Sequence, residues 1–183
     1  MTLAERVGIS HPGVLRYFGT KEALLRAVME RRFSPLDALA ESMGDNGILW
    51  LLTMPAPDEP EVLTRLATVL TAENLDPGDP LHDYFQDHNR RYRALIADAI
   101  RISQARGEVR EDIDPDVKAA EIVAFSIGIE TQWLLDPAGI DREAVQRSFT
   151  ESLLATLAAP KRRAATKRGP PPSSRRSRAP KPR

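Results

Sequence analysis

Up to residue 159, apolar residues recur at the spacing of an α-helix through most of the chain. The clearest stretch is 80–106, where apolar and aromatic side chains and one histidine return every three or four positions. Its members are Leu81, Tyr84, Phe85, His88, Tyr92, Leu95, Ile96, Ala99 and Ile102. The sequence contains no strand-like alternation bounded by Asn-Gly or Asp-Gly turns and no repeat of fixed period. It therefore predicts an all-α fold.

Capping residues and a glycine divide this pattern into separate helices. The Asp-Pro pairs at 79–80 and 114–115 are typical of an N-cap and first turn, and Asp141 is a further N-cap. Gly107 is placed to end the helix before it. The predicted helices cover 20–43, 46–54, 59–75, 80–106, 115 to a residue before Pro137, and 142–158.

The formal net charge of zero, from 26 basic and 26 acidic residues, conceals a strong segregation. Residues 161–183 carry ten basic side chains and no acidic one, whereas 34–160 have a balance of −13 and 1–33 a balance of +3. Six prolines, with no aromatic or long aliphatic residue, predict a disordered tail over 160–183. Two roles stay open for that tail: a solubilising segment, or a region attracted to nucleic acid irrespective of base sequence.

Several classes of protein are disfavoured by the residues that the chain lacks. With no cysteine, it cannot carry a disulfide framework, a thiolate metal site or a thiol nucleophile. His82 and His88 are six residues apart, so they cannot share one helix face as metal ligands would. No Gly-rich phosphate loop and no nucleophile–base set can be identified. We therefore expect no enzymatic activity, no metal and no cofactor.

The hydropathy pattern also disfavours a membrane protein. No apolar run approaches the ~18 residues that a spanning helix needs, and no signal peptide is recognisable. We therefore expect a cytoplasmic chain with no membrane partner.

The amino end has a different organisation. Residues 2–7 and 12–18 predict two short helices around the turn at 8–10. Gly8 can adopt the positive φ that ends a helix, and Ser10 can cap the next one. Two short helices around a glycine turn are typical of a helix-turn-helix, although any helical hairpin can produce the pattern.

Three sequence runs make this pattern specific: LAERVGIS at 3–10, LRYF at 15–18 and KEALL at 21–25. Together they resemble the DNA-binding domain of the tetracycline-repressor (TetR/AcrR) family of transcriptional regulators. Downstream segments at 71–74, 106–116 and 132–137 look like the ligand-binding domains of one branch of that family. The resemblance covers about residues 2–158 and is stronger at the amino end.

The resemblance implies a DNA-binding head over 1–33, whose second helix enters the major groove. The implied base-proximal positions are His11, Pro12 and Gly13, and the implied phosphate contacts are Arg16, Tyr17 and Lys21, with Ser10 at the start of the helix. The chain departs from the family pattern in three ways. The family's first helix is expected to be absent; Leu15 and Tyr17 replace a tyrosine and a histidine; and Gly13 lies in the recognition helix.

For 34–159 the resemblance implies a helical ligand-binding and dimerisation domain, with a homodimer formed through 115–158. The apolar segments at 122–125 and 127–129 suit such an interface, and a buried monomer core remains the alternative. Glu130, a carboxylate within this apolar stretch, would either receive a ligand or pair with an arginine. The implied pocket residues are Trp50, Leu66, Leu70, Asn74, Phe85, His88, Asn89, Tyr92, Phe125, Ile129 and Glu130.

Two functional hypotheses follow. The first is a homodimeric repressor that binds a palindromic double-stranded DNA operator and is released by a small-molecule effector. The second is a ligand-binding, dimerising helical protein that no longer binds a specific operator because the family's first helix is missing.

Overall fold

The computed structural model describes residues 11–53 and 60–159. The predicted helix and turn at 2–10, and the predicted tail at 160–183, lie outside the described residues. In the described residues the helices are α1 (His11–Phe18), α2 (Lys21–Met43), α3 (Ile48–Thr53), α4 (Glu61–Ala72), α5 (His82–Ala105), α6 (Pro115–Leu135) and α7 (Arg142–Leu157). The described ranges contain no strand, only an isolated antiparallel bridge from Val109 to Ala158. The prediction of an all-α fold is confirmed.

Side-chain caps determine where several helices begin. The Asp114 carboxylate accepts hydrogen bonds from the backbone N–H groups of Asp116 (2.9 Å) and Val117 (3.2 Å), and Asp141 accepts one from Ala144 N–H (2.9 Å). These two predicted caps are confirmed, because each carboxylate satisfies N–H groups that have no partner within the helix.

The prediction that Asp79 caps α5 is wrong. This helix begins at His82, its N-cap position is Leu81, and no side chain caps it. The Asp79 carboxylate instead accepts a hydrogen bond from Asp76 N–H at 2.9 Å, which closes the turn before the helix. The end of α5 is as predicted, since Gly107 follows it with φ +71°.

Most of the core lies where α5 packs against α6, α3 and α7. We call this group the body cluster; its buried members are Met43, Ile48, Leu95, Ile96, Ala97, Ala99, Ile100, Val109, Ala119, Ile122, Val123, Leu153 and Leu157. The chain passes close to α5 at Gly47, just before α3. A Cβ at this position would overlap the Ser103 hydroxyl and lie 3.3 Å from the Ser103 backbone nitrogen.

A second group of buried side chains lies nearer the amino end, between α2, α4 and the start of α5. We call it the head-side cluster; its members are Met29, Phe33, Ala67, Leu70, Leu81 and Phe85. Asn74 joins the end of α4 to the start of α5 beside this cluster. Its Nδ2 donates to Leu70 O at 2.7 Å, and its Oδ1 accepts from Leu81 N–H at 2.9 Å.

Helix α6 is buried on one side only. Ala119, Ile122 and Val123 face the body cluster, whereas the side chains of Ile127 and Leu135 are 47% and 81% exposed. Part of the apolar surface of α6 is therefore left uncovered by the described residues of one chain. No helix in the described part of the chain is both long and apolar enough to cross a membrane.

Candidate functional sites

The candidate DNA-contacting side chains lie around the turn that joins α1 to α2. Arg16 and Tyr17 are in the last turn of α1, and the Tyr17 side chain is 85% exposed. Gly19 turns the chain with φ +77°, and Thr20 caps α2 by accepting a hydrogen bond from Ala23 N–H at 3.0 Å. The exposed Lys21 is therefore the first residue of α2.

This arrangement suits contact with a phosphate backbone. Two cationic side chains and a phenol are solvent-exposed around one turn, beside the N-terminal end of a long helix, where the helix dipole favours an anion. Of the remaining candidates, Pro12 is exposed and Gly13 is half-buried in α1. His11 is the first residue of α1, and Ser10 lies outside the described residues.

The apolar candidates for the effector pocket are packed core residues. Leu70 and Phe85 belong to the head-side cluster, with Leu66 packed against it. Trp50 and Tyr92 pack against the body cluster. Ile129 is buried on α6. They belong to two different clusters, and Ile129 is a member of neither.

Two polar candidates have partners of their own. Asn74 is held by Leu70 and Leu81, as described above, which gives it a structural role at the α4–α5 connection. Asn89 accepts a hydrogen bond from Arg93 Nη1 at 3.1 Å, one turn further along α5.

Three further candidates meet at the junction of α2, α5 and α6. The ring of His88 stacks on Phe33 with a centroid separation of 3.6 Å and an interplanar angle of 22°. Glu130 Oε1 lies 3.9 Å from Arg32 Nη2, so the predicted alternative of an arginine partner is present in the structure. Burial raises the pKa of the Tyr92 phenol, and the negative charge of Glu130 raises it further.

Sequence reasoning missed Arg32 and Phe33 as components of this junction. The signal was available: Arg32 follows the fully buried Met29 by three residues, and Phe33 by four, so all three lie on one face of α2. A cation on the apolar face of an amphipathic helix is unusual and indicates a buried partner.

Phe125 lies apart from the other candidates. Its ring stacks on Phe149 at 3.6 Å, with 5° between the planes, where α6 meets α7. The two rings line an open cavity of about 440 Å³ together with Ala144, Val145, Ser148 and Ser152. The structure thus places Phe125 on the surface of the predicted dimerisation segment.

A second cavity, of about 540 Å³, opens between α2 and the start of α5. It is mostly polar, and on one side the Arg26 Nε donates to Glu30 Oε1 at 2.8 Å. Phe33 forms part of its wall. Within 11–53 and 60–159, no group of three or more His, Asp or Glu side chains is arranged to hold a metal ion.

Comparison with known proteins gives matches over both parts of the chain. Residues 48–159 match the family model described as BetI-type transcriptional repressor, C-terminal, and residues 2–28 match that of bacterial regulatory proteins, tetR family. A solved structure described as the molecular basis for control of antibiotic production by bacterial hormones is similar with a TM-score of 0.58. It is 20% identical, and the match covers 85% of this chain and 84% of that chain, which shows a shared fold. No curated protein matches the chain.

Proposed function

Because the chain belongs to the TetR family of transcriptional regulators, we propose that it is a homodimeric repressor that binds a palindromic operator and is released by a small-molecule effector. Proteins of this family are DNA-binding regulators and not enzymes, which confirms the expectation of a chain without enzymatic activity.

The exposed surface formed by Arg16, Tyr17 and Lys21 is the observation that carries the DNA-binding role. A helix that enters the major groove is positioned by phosphate contacts at its ends, and these three residues flank the end of α1. His11, Pro12 and Gly13 then supply the first turn that approaches the base edges. Since this turn offers few base-specific donors, DNA shape would contribute to operator recognition.

The partly uncovered face of α6 supports the homodimer. Ile127 and Leu135 are large apolar side chains exposed on one helix, and an open, mainly apolar cavity lies at Phe125 and Phe149, where α6 meets α7. Pairing of 115–158 with a second copy of the chain would cover the exposed side chains and the cavity. Such a dimer has two-fold symmetry, as a palindromic operator requires.

The candidate residues on α4, α5 and α6 support an effector site in this part of the chain. They are mainly apolar, with a few polar groups such as Tyr92 and Glu130, which is the usual composition of a small-molecule pocket. An effector would release the DNA if it bound preferentially to a conformation in which the spacing of the two DNA-binding heads does not fit the operator.

The test of DNA binding uses the full chain and its own upstream intergenic DNA, with scrambled DNA of equal length as the comparison. Titration at two salt concentrations, one of them ~0.15 M, separates specific from nonspecific binding. We expect Lys21→Ala to weaken binding to both DNAs. The salt slope, which is the slope of the logarithm of the binding constant against the logarithm of the salt concentration, should fall in magnitude by about 1. Arg65→Ala, an exposed charge on α4, is the matched control and should leave the slope unchanged.

Two outcomes would contradict this assignment. Binding that is equally strong on scrambled DNA would rule out a specific operator in that region. An unchanged salt slope for Lys21→Ala would show that Lys21 contacts no phosphate.

The dimer is tested by Ile127→Glu, which places a charge on the proposed interface and should give monomers in light scattering. Val62→Glu is the control, because Val62 is also a large exposed apolar residue (67%) but lies on α4, outside 115–158. If Ile127→Glu remains dimeric, the interface lies elsewhere.

A further inference from the structure

Three helices each contribute one polar side chain to the same point in an otherwise apolar junction. Arg32 comes from α2, Tyr92 from α5 and Glu130 from α6. The Arg32 side chain is 10% exposed and that of Glu130 is 37% exposed, and their nearest charged atoms are 3.9 Å apart. A guanidinium withdrawn from water to this extent requires a compensating negative charge. The pair is therefore a specific electrostatic contact between α2 and α6.

Helix α2 is the element that carries the head. Helix α1 packs against its amino-terminal part, and the carboxyl-terminal end reaches the body cluster through Met43. Pro35 lies inside the helix, between these two ends. Because proline has no N–H, the usual backbone hydrogen bond to Arg31 O is missing, and the Ser34 hydroxyl donates to that carbonyl instead, at 2.9 Å.

The missing backbone hydrogen bond weakens the coupling between 21–34 and the rest of α2, since a helix bends most easily at a proline. The orientation of the head-bearing part must then be set by its own contacts with the core. Met29 and Phe33 stabilise this segment by apolar burial, and that stabilisation depends little on the orientation of α2 relative to the core. The Arg32–Glu130 pair adds a contact that favours one orientation of α2 relative to α6.

We propose that Arg32 and Glu130 are positioning residues for DNA binding: their ion pair sets the orientation of 21–34, and with it α1, relative to α6. This inference rests on the proposed function, because it assigns the pair a role in operator binding. Since α6 is the proposed dimerisation helix, the pair relates the orientation of each head to the two-fold axis. An effector that separates the two side chains would release that orientation.

Arg32 differs from a direct phosphate contact in a way that can be measured. Its side chain is largely buried, whereas the neighbouring Arg31 is exposed. Removal of a phosphate contact lowers the salt slope, but removal of a positioning residue lowers affinity without changing the slope. The two adjacent arginines therefore form a matched pair of test positions.

The decisive variant is Glu130→Gln, measured in the full chain on its upstream intergenic DNA. We expect operator affinity to fall about 5–10-fold, although loss of a negative charge by itself would raise affinity for DNA. Arg32→Gln should lower affinity similarly, with an unchanged salt slope. The charge-exchanged double variant Arg32→Glu/Glu130→Arg should recover most of the loss, which a merely destabilising substitution would not do.

The control is Arg31→Gln, which makes the same charge change one residue away on the exposed side of α2. If it weakens binding as much as Arg32→Gln does, general electrostatics explains the effect and the inference is wrong. Equal or tighter binding by Glu130→Gln would also overturn it.

A second measurement does not depend on the operator. Since the chain has no cysteine, Ala23→Cys on α2 and Ala105→Cys at the end of α5, both at exposed positions, can carry a pair of spin labels. Labelled chain is mixed with an excess of unlabelled chain, so that the measured distances lie within one molecule. Adding Glu130→Gln should broaden or shift the distance distribution, and the charge exchange should restore it.

An unchanged distance distribution would overturn the inference, whatever the DNA result. If the unsubstituted chain fails to bind its upstream DNA specifically, the proposed function is contradicted instead. The label distances then decide by themselves whether the pair orients the head.

Discussion

The body cluster and the head-side cluster are both built on α5, whose two halves face them in turn, but their surroundings differ. The body cluster is enclosed by α3, α5, α6 and α7, and Ile96, Ile100 and Leu157 are all but completely buried in it. The head-side cluster is bordered by charged and polar groups, among them Arg32 and Glu130. The first region is therefore enclosed by helices, whereas the second has charged side chains at its edge.

The loop after α5 shows how thoroughly the body cluster is closed. Gln104 Nε2 donates to the carbonyl oxygens of Arg110 (3.0 Å) and Ile113 (2.9 Å). Arg110 N–H donates to Leu157 O at 3.0 Å, which joins this loop to the end of α7. Each hydrogen bond gives a partner to a backbone group that would otherwise need water, so the segment is fixed to the core.

Other contacts hold α2 beside the head-side cluster. Between Lys21 and Phe33 these are apolar contacts, the Phe33–His88 stack, the Arg32–Glu130 pair and Arg26, whose guanidinium lies over the Tyr84 ring. Pro35 separates this segment from the end of α2 that reaches the body cluster. The difference between the two clusters leads to a ranking of substitution effects.

The largest effect should follow Ile100→Ala in the centre of the body cluster. Ile100 is fully buried, so we expect the free energy of unfolding to fall by about 4 kcal/mol, from lost transfer energy and the remaining cavity. Chemical denaturation monitored by circular dichroism measures it. Val62→Ala, on the exposed face of α4, should change stability by less than about 0.5 kcal/mol.

Met29→Ala tests whether the head-side cluster opens separately. We expect a loss of about 3 kcal/mol, since Met29 is also fully buried. Hydrogen exchange should show faster exchange in α2 and α4, with protection in α6 and α7 retained. Uniformly faster exchange across all helices would show that the two clusters unfold as one unit and that the head-side cluster does not open separately.

Gly47→Ala probes the close approach between the start of α3 and α5. The added methyl group would overlap the Ser103 hydroxyl, which itself donates to Glu108 Oε2 at 3.0 Å. We expect a loss of about 2 kcal/mol by overpacking, measured by thermal unfolding. Gly47→Ala/Ser103→Ala should recover part of it; equal stability of the two variants would show that the backbone contact, and not the hydroxyl, limits the space.

Much of the helical architecture could be predicted from local sequence, because its determinants are local. The apolar period located α5, and Asp114 and Asp141 marked the beginnings of α6 and α7, since a cap depends only on the next few backbone N–H groups. Asp79 failed as a cap for the same kind of reason: another local backbone donor, Asp76 N–H, hydrogen-bonds to its carboxylate, and the helix begins only at His82.

The candidate sites were less predictable. The motif in 3–25 predicted which residues would contact DNA, and Arg16, Tyr17 and Lys21 are exposed as that prediction requires. The pocket candidates, by contrast, were chosen as apolar residues of the middle helices. They divide between two clusters, with Phe125 on the α6–α7 surface, because periodicity gives the face of a helix but not its partner.

The sequence by itself determined the all-α fold, most helix boundaries and membership in a family of DNA-binding regulators, since periodicity, caps and motifs are properties of neighbouring residues. Only the tertiary structure placed Arg32 beside Glu130, His88 against Phe33 and Gly47 against Ser103. Each of these contacts joins residues at least 50 positions apart in the chain, and it forms only when helices cross at a particular place and angle.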